Sequence, residues 1–150
     1  MCLLIIHIYL IYMNDFQNDL NLNTVDVNIN LINNPGVSSI SCKVAYEETL
    51  TLTEVSYNAD LGGEGTVPPA RKLKSPVVLT WDNYDADTMG DMVFATLRFK
   101  VADDAVNGTY PITLSYDKGA IFNYNEDPEH EILKSYGRSY VYFTSLLSSH

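Results

Sequence analysis

From residue 24 the chain changes side at every step. In TVDVNINLI, Val25, Val27, Ile29 and Leu31 point one way and Asp26, Asn28 and Asn30 the other. A period of two marks an extended strand with one buried face, because successive side chains leave opposite sides of the pleat. Asn33-Asn34-Pro35-Gly36 ends the run as a turn, with proline presetting φ and glycine free to take a positive φ. SISCKVAY resumes the alternation: Ile40, Cys42, Val44 and Tyr46 form one face, Ser39, Ser41, Lys43 and Ala45 the other. Two such strands in succession restrict the fold to a layered one, since each has an apolar face that only another layer can cover.

The pattern continues. Leu50, Leu52 and Val55 carry it past Glu47-Glu48, and then Gly62, Gly63, Gly65 and Pro68-Pro69 open a loop over 58–75 in which Arg71 to Lys74 reads as a short edge strand. PVVLTW is the next strand, its Trp81 in register with Val77 and Leu79 and therefore expected in the core. After the loop DNYDADTMGD comes the clearest strand, MVFATLRFKV, with Val93, Ala95, Leu97, Phe99 and Val101 expected inside and Thr96, Arg98 and Lys100 outside. GTYPITLSY, KGAIFNYN and GRSYVYF follow as strands, with EDPEHE a loop between the last two. No segment holds a helical period over ten residues and no repeat of solenoid or propeller length is present, so the expectation is all-β: an antiparallel β-sandwich or jelly roll.

MCLLIIHIYLIYM, at the start, is too short to span a bilayer as a helix and lacks the basic region and small-residue cleavage site of a secretory signal. Its β-branched and tyrosine content favours a strand over a remnant signal or an interfacial anchor. The division expected is an apolar segment over 1–22, a sandwich over 23–144 and a tail over 145–150.

The chain of 150 residues, 46% apolar and 19% charged, can bury a real core as one domain. Nineteen acidic against nine basic side chains give a net charge of −10, and no run of Lys or Arg offsets it, so nucleic acid is not an expected partner. A basic or amphipathic partner surface is compatible with that charge. Cys2 and Cys42 lie far apart without a CxxC neighbour or nearby histidine, which argues against a disulfide framework, a zinc site or a nucleophile and leaves Cys42 a small buried hydrophobe.

Chemistry is sparse. Asp82, Asp85, Asp87 and Asp91 suggest a calcium loop, but starting at Asp85 puts Met89 at the fifth position and Thr96 at the twelfth, where an EF-hand needs an oxygen ligand and a bidentate Glu. A solvated turn or a weak calcium site of another kind remains. Glu126, Asp127, Glu129, His130 and Glu131 form no defined motif, and His7 and His150 stand near the termini. There is no phosphate-binding loop, GxSxG or HExxH, so no enzyme is expected. Tyr84, Tyr116 and Tyr124 fall in loops or at strand ends and could stack on a sugar, although strand propensity accounts for most of the eleven tyrosines.

Four stretches, INNPGVSSISCKVAYEETLTLTEVSYN, VVLTWDN, GDMVFATLRFKVADDAVNGTYPITLSY and GRSYVYF, resemble successive strands of a cohesin domain, the receptor module of cellulosome-type scaffoldins. The resemblance runs over about residues 24 to 143 and is carried most specifically by the NNPG turn and by FATLRFKV followed by NGTYPITL. It implies a jelly roll of about nine strands that is extracellular or cell-surface associated, monomeric and non-catalytic. Its partner would be the dockerin of a carbohydrate-active enzyme or scaffoldin, with no cofactor of its own and any calcium held by the dockerin. It also implies a docking face. The polar pair that meets dockerin helices in this family, often Asn and Asp, falls here on Ser39 and Ser41, with Lys43 next on the same side. Val78 and Thr80 flank them, Asn83 lies just beyond, and Arg71 and Leu73 fall on the preceding edge. A carbohydrate-binding sandwich or a cell-surface adhesin domain are the alternative readings.

Overall fold

Ten strands form among the described residues of the computed structural model: β1 Leu3–Ile8, β2 Thr24–Ile32, β3 Ser39–Tyr46, β4 Leu50–Tyr57, β5 Glu64–Thr66, β6 Val77–Asp82, β7 Met92–Val101, β8 Thr109–Ser115, β9 Ile121–Phe122 and β10 Ser139–Thr144. Those residues are 3–8, 24–105, 109–117, 120–123 and 139–144, with side chains described over 24–105, 110–117 and 120–123. Cys2, Tyr124, the acidic run from Glu126 to Glu131, the tail over 145–150 and the side chain of His7 lie outside them. β5 and β9 have three and two residues, so eight of the ten are long strands.

The strands build two antiparallel sheets. One has the order β1-β2-β7-β4, the other β10-β8-β3-β6-β5 with β9 added to β3. From β2 to β4 and again from β6 to β8 the chain crosses from one sheet to the other at each connection, as a jelly-roll sandwich requires. The apolar start does form a strand: β1 pairs with β2 from Leu3↔Ile32 to Ile8↔Val27.

Both inner faces meet in one core. Val27, Ile29, Leu31, Leu52, Leu97 and Phe99 supply it from one sheet and Ile40, Cys42, Val44, Val77, Leu79, Trp81, Ile112 and Leu114 from the other. Each fully buried large side chain is worth about 1.5–3 kcal/mol of transfer free energy. Edge-to-face rings tie the layers together, Tyr46 on Phe99 at 5.0 Å and Trp81 on Phe94 at 6.4 Å. On the outer side of the first sheet Arg98 holds Asp26 through two nitrogens, at 2.8 and 3.1 Å, and Glu54 at 3.0 Å.

Two expectations are corrected. In β7, Phe94 is fully buried and Val93 is not. The pairing skips from Ile29↔Ala95 to Asn30↔Val93, so Phe94 is the extra residue of a β-bulge and the alternation reverses there. A second shift at Leu52/Glu54 explains the spacing of three between Leu52 and Val55. The edge strand expected at Arg71 to Lys74 is instead a 3-10 turn over Ala70–Lys72, closed by Lys72 N–H to Pro69 O at 2.7 Å and Leu73 N–H to Ala70 O at 3.2 Å. Pro69, with φ −59°, starts that turn, and the true edge strand is β5. Among the described residues no helix is long and apolar enough to cross a membrane.

Candidate functional site

The outer face of the second sheet is built by the residues that alternate away from the core. Register places them in rows. Phe122, Ser39, Asp82 and Glu64 lie side by side on β9, β3, β6 and β5; Ser41, Thr80 and Thr66 form the next row; Ser115, Lys43 and Val78 the third; and Thr113 beside Ala45 the last. With about 4.8 Å between strands, the four-residue row is about 14 Å wide. Ser39, Ser41 and Thr80 are half-buried by their neighbours, while Val78 and Phe122 stand 46% and 44% exposed. The centre is thus low, hydroxyl-lined and uncharged, with isolated apolar side chains at its borders.

Charge sits at two opposite places on this face. Lys43 Nζ is 3.8 Å from the exposed Asp117 carboxylate. At the other end Asp82 lies between Ser39 and Glu64, and the Ser39 hydroxyl donates to Asp82 Oδ1 at 2.7 Å. Sequence reasoning singled out Ser39 and missed Asp82, Glu64, Thr66 and Phe122. The signal for Asp82 was available, because it follows Val78 and Thr80 at the same period of two.

A crown of loops closes the Asp82 end. Asn34 donates through Nδ2 to Thr88 O at 2.9 Å and Gly90 O at 3.1 Å, and accepts from Gly36 N–H at 3.0 Å. Its own N–H donates to Asp91 Oδ1 at 3.1 Å, and Val37 and Thr88 exchange backbone hydrogen bonds of 2.9 and 2.8 Å. The NNPG turn therefore clamps the acidic loop, with Asn33 at φ 54° and Gly36 at φ 132°. Among the described residues no group of three or more His, Cys, Asp or Glu is placed to hold a metal ion.

The expected site residues separate into two groups. Ser39, Ser41, Lys43, Val78 and Thr80 come together on the face. Leu73 does not: it is 8% exposed and packs into the core, so its expected role on the partner side is corrected. Arg71 is exposed but sits in the 3-10 turn rather than on a strand. Asn83 closes the crown, accepting from the N–H of Asp85 at 3.1 Å and Ala86 at 3.4 Å and donating to Thr88 Oγ1 at 3.4 Å.

Behind the face, Cys42 is buried, and burial pushes its thiol up to about 12, which leaves it protonated at neutral pH and chemically inert. The tyrosines form no common platform among the described residues. Tyr84 is 73% exposed in the crown, whereas Tyr116 is partly buried against the core.

Comparison with known proteins is consistent with this geometry. The family model described as "Cohesin domain" matches residues 23–132. Among solved structures, the chain is similar to the third cohesin of ScaC from Acetivibrio cellulolyticus, in complex with the ScaB dockerin, at 22% identity and TM-score 0.60 over 78% of this chain and 86% of that one. It is similar to the chain of the Coh-OlpA–Doc918 complex of Clostridium thermocellum at 17% identity and TM-score 0.57, covering 74% and 79%. A non-cellulosomal cohesin from the archaeon Archaeoglobus fulgidus aligns at 15% identity and TM-score 0.52, covering 67% and 68%. No curated protein matches the chain.

Proposed function

Because the chain belongs to the cohesin family, we propose that it is a non-catalytic receptor module that docks the dockerin of a carbohydrate-active enzyme or scaffoldin on the outer face of β8, β3, β6 and β5. One observation carries the reading. The strand that the family resemblance assigns to docking is β3, and its outer side lies in the middle of a broad surface of small and hydroxyl side chains. An α-helix with its side chains is about 10–12 Å across, so the surface of about 14 Å can seat one. Hydroxyls at its centre can donate or accept without leaving an unpaired charge under the helix.

Ser39, Ser41, Lys43, Val78 and Thr80 make the contacts, and Arg71 is exposed in the 3-10 turn that precedes β6. The module acts as a monomer outside the cell or on its surface, in an assembly that degrades polysaccharide. The sandwich spans residues 23–144 and is completed by β1 from the apolar segment over 1–22, with 145–150 as a tail. It needs no cofactor, and calcium belongs to the dockerin.

The test is calorimetry of the full chain against the ScaB dockerin of A. cellulolyticus and Doc918 of C. thermocellum, in calcium and after chelation. Binding is expected in calcium and lost on chelation, because the dockerin needs the metal to fold its helices. Thr80→Arg, which places a long cation at the centre of the face, should weaken binding at least about a hundredfold, the cost of a blocked interface centre. Retention of affinity by Thr80→Arg would move the site elsewhere. If neither dockerin binds, the reading falls and glycans become the next ligands to try.

A further inference from the structure

The net charge of −10 hides a local exception. A third of the nine basic residues, Arg71, Lys72 and Lys74, stand within four positions of the chain, all exposed, in the turn that leads into β6. The backbone under them is fixed. Leu73 is buried, the Tyr46 hydroxyl donates to Leu73 O at 3.1 Å, and Tyr46 N–H donates to Ser75 Oγ at 2.8 Å, so the turn is tied to the end of β3 on both sides of Lys74. Two other cations are engaged by carboxylates, Lys43 by Asp117 and Arg98 by Asp26 and Glu54. These three are not. Among the described residues none of them forms an ion pair, although Glu47 and Glu48 follow Tyr46 directly and are exposed themselves. Like charges crowded on a fixed backbone repel, and no described group offsets them.

We propose that this turn is a second binding site, separate from the docking face, for an anionic polysaccharide: a chain of uronate or phosphate-bearing sugars that lays successive anions on Arg71, Lys72 and Lys74. Arg71 offers a planar fork to a carboxylate or phosphate, and the two lysines offer point charges beside it. The acids at the same end select the shape of the ligand. A broad anionic surface, such as a bilayer, would press on Glu47 and Glu48 as well as on the turn, whereas a narrow chain crosses the turn alone. The choice of a glycan among narrow polyanions rests on the reading above, in which the module works in an assembly that degrades polysaccharide. With the dockerin on the sheet face and the polymer at the foot of β6, the module holds an enzyme beside an anionic region of its substrate.

Glycan binding is measured on the full chain with no dockerin present, so it is read independently of the docking reading. Polygalacturonate, poly(glycerol phosphate), a neutral glucan, single-stranded DNA and anionic vesicles are immobilised in parallel, at ~50 mM and ~200 mM NaCl. Retention is expected on one or both anionic polymers and not on the glucan, and the stronger of the two identifies the anion. A flexible polyanion held by three cations should lose about tenfold to twentyfold in affinity between those salts. Arg71→Gln/Lys72→Gln/Lys74→Gln should abolish retention, each single change should weaken it about twofold to fivefold, and Glu47→Gln/Glu48→Gln should strengthen it by a similar factor. Lys100→Gln, which removes an exposed lysine of the opposite sheet, should leave it as it was. Thermal melts check that each variant folds, and the gain in Glu47→Gln/Glu48→Gln serves if the triple variant does not. Retention that survives the triple variant overturns the inference, as does retention on neither anionic polymer, on the glucan equally, or only on DNA or vesicles. If the dockerins do not bind and the anionic polymers do, the site stands and only its service to a docked enzyme falls.

Discussion

Single residues show how closely the outer face depends on what lies beneath it. Cys42 sits on the inner side of β3, between Ser41 and Lys43, and its thiol stands at about 12 against an ordinary 9.0 because burial disfavours the thiolate. An unfolded chain releases that proton from about pH 9 upward and the folded one retains it. This contribution to stability is thus complete below pH 9.0 and declines toward pH 12, at ~1.4 kcal/mol per pH unit. Tyr57, raised by its own burial, acts in the same direction. Urea midpoints measured from pH 8 to 11 should fall with pH, and less steeply in Cys42→Val. Gly65 is equally exacting: any Cβ there would run into the Tyr57 ring, whose hydroxyl is anchored to Thr66 O at 2.9 Å. Gly65→Ala should destabilise by about 1–3 kcal/mol and detach β5, seen as a lower urea midpoint and faster amide exchange at Glu64 to Thr66. Cys42 was legible from its place in the alternation. Gly65 was not, because nothing local tells a loop glycine from one against which a ring from another strand packs.

Among the elements, the long strands were readable and their irregularities were not. Alternation identifies β2, β3, β6 and β7, but a bulge is a property of a pair, and the partner of β7 lies more than sixty positions away on β2. So Val93 was expected inside and Phe94 took its place. Phe94 packs edge-to-face against Tyr57 at 5.5 Å and against Trp81, joining β7, β4 and β6. Phe94→Ala should cost about 3–5 kcal/mol by equilibrium unfolding, with a change in Trp81 fluorescence in what remains folded. The turn before β3 was recognised by its residue types, yet its clamp on the loop over 83–91 depends on Asn34 reaching two distant carbonyls. Asn34→Ala leaves those carbonyls short of a donor, and the loss should be about 1–3 kcal/mol, with exchange rising first at Thr88 and Gly90. The 3-10 turn at Ala70–Lys72 escaped notice because Arg71 to Lys74 is short enough to satisfy either reading.

At the scale of the molecule the two sheets divide labour. The outer face of β2, β7 and β4 is locked by Arg98 between Asp26 and Glu54, whereas the outer face of β3 and β6 keeps a hydroxyl centre with charge at its ends. Half of the candidate site could be read in advance, the half on β3 and β6 whose period of two is unbroken. Asp82, Glu64 and Phe122 emerged only when register brought three distant segments into one row. That arrangement has a consequence for how the chain comes off the ribosome. Among the described pairings, only β1 with β2 and β5 with β6 join strands adjacent in sequence. β2 and β4 must both wait for β7, and β3 must wait for β6 and β8. Until synthesis passes Val101 the first sheet cannot assemble, and β3 lacks β8 until it passes Ser115, so the half-made protein carries open strand edges that any neighbouring chain could extend. Whatever shields the first hundred residues until β7 emerges would be as much a part of this molecule's success as its core.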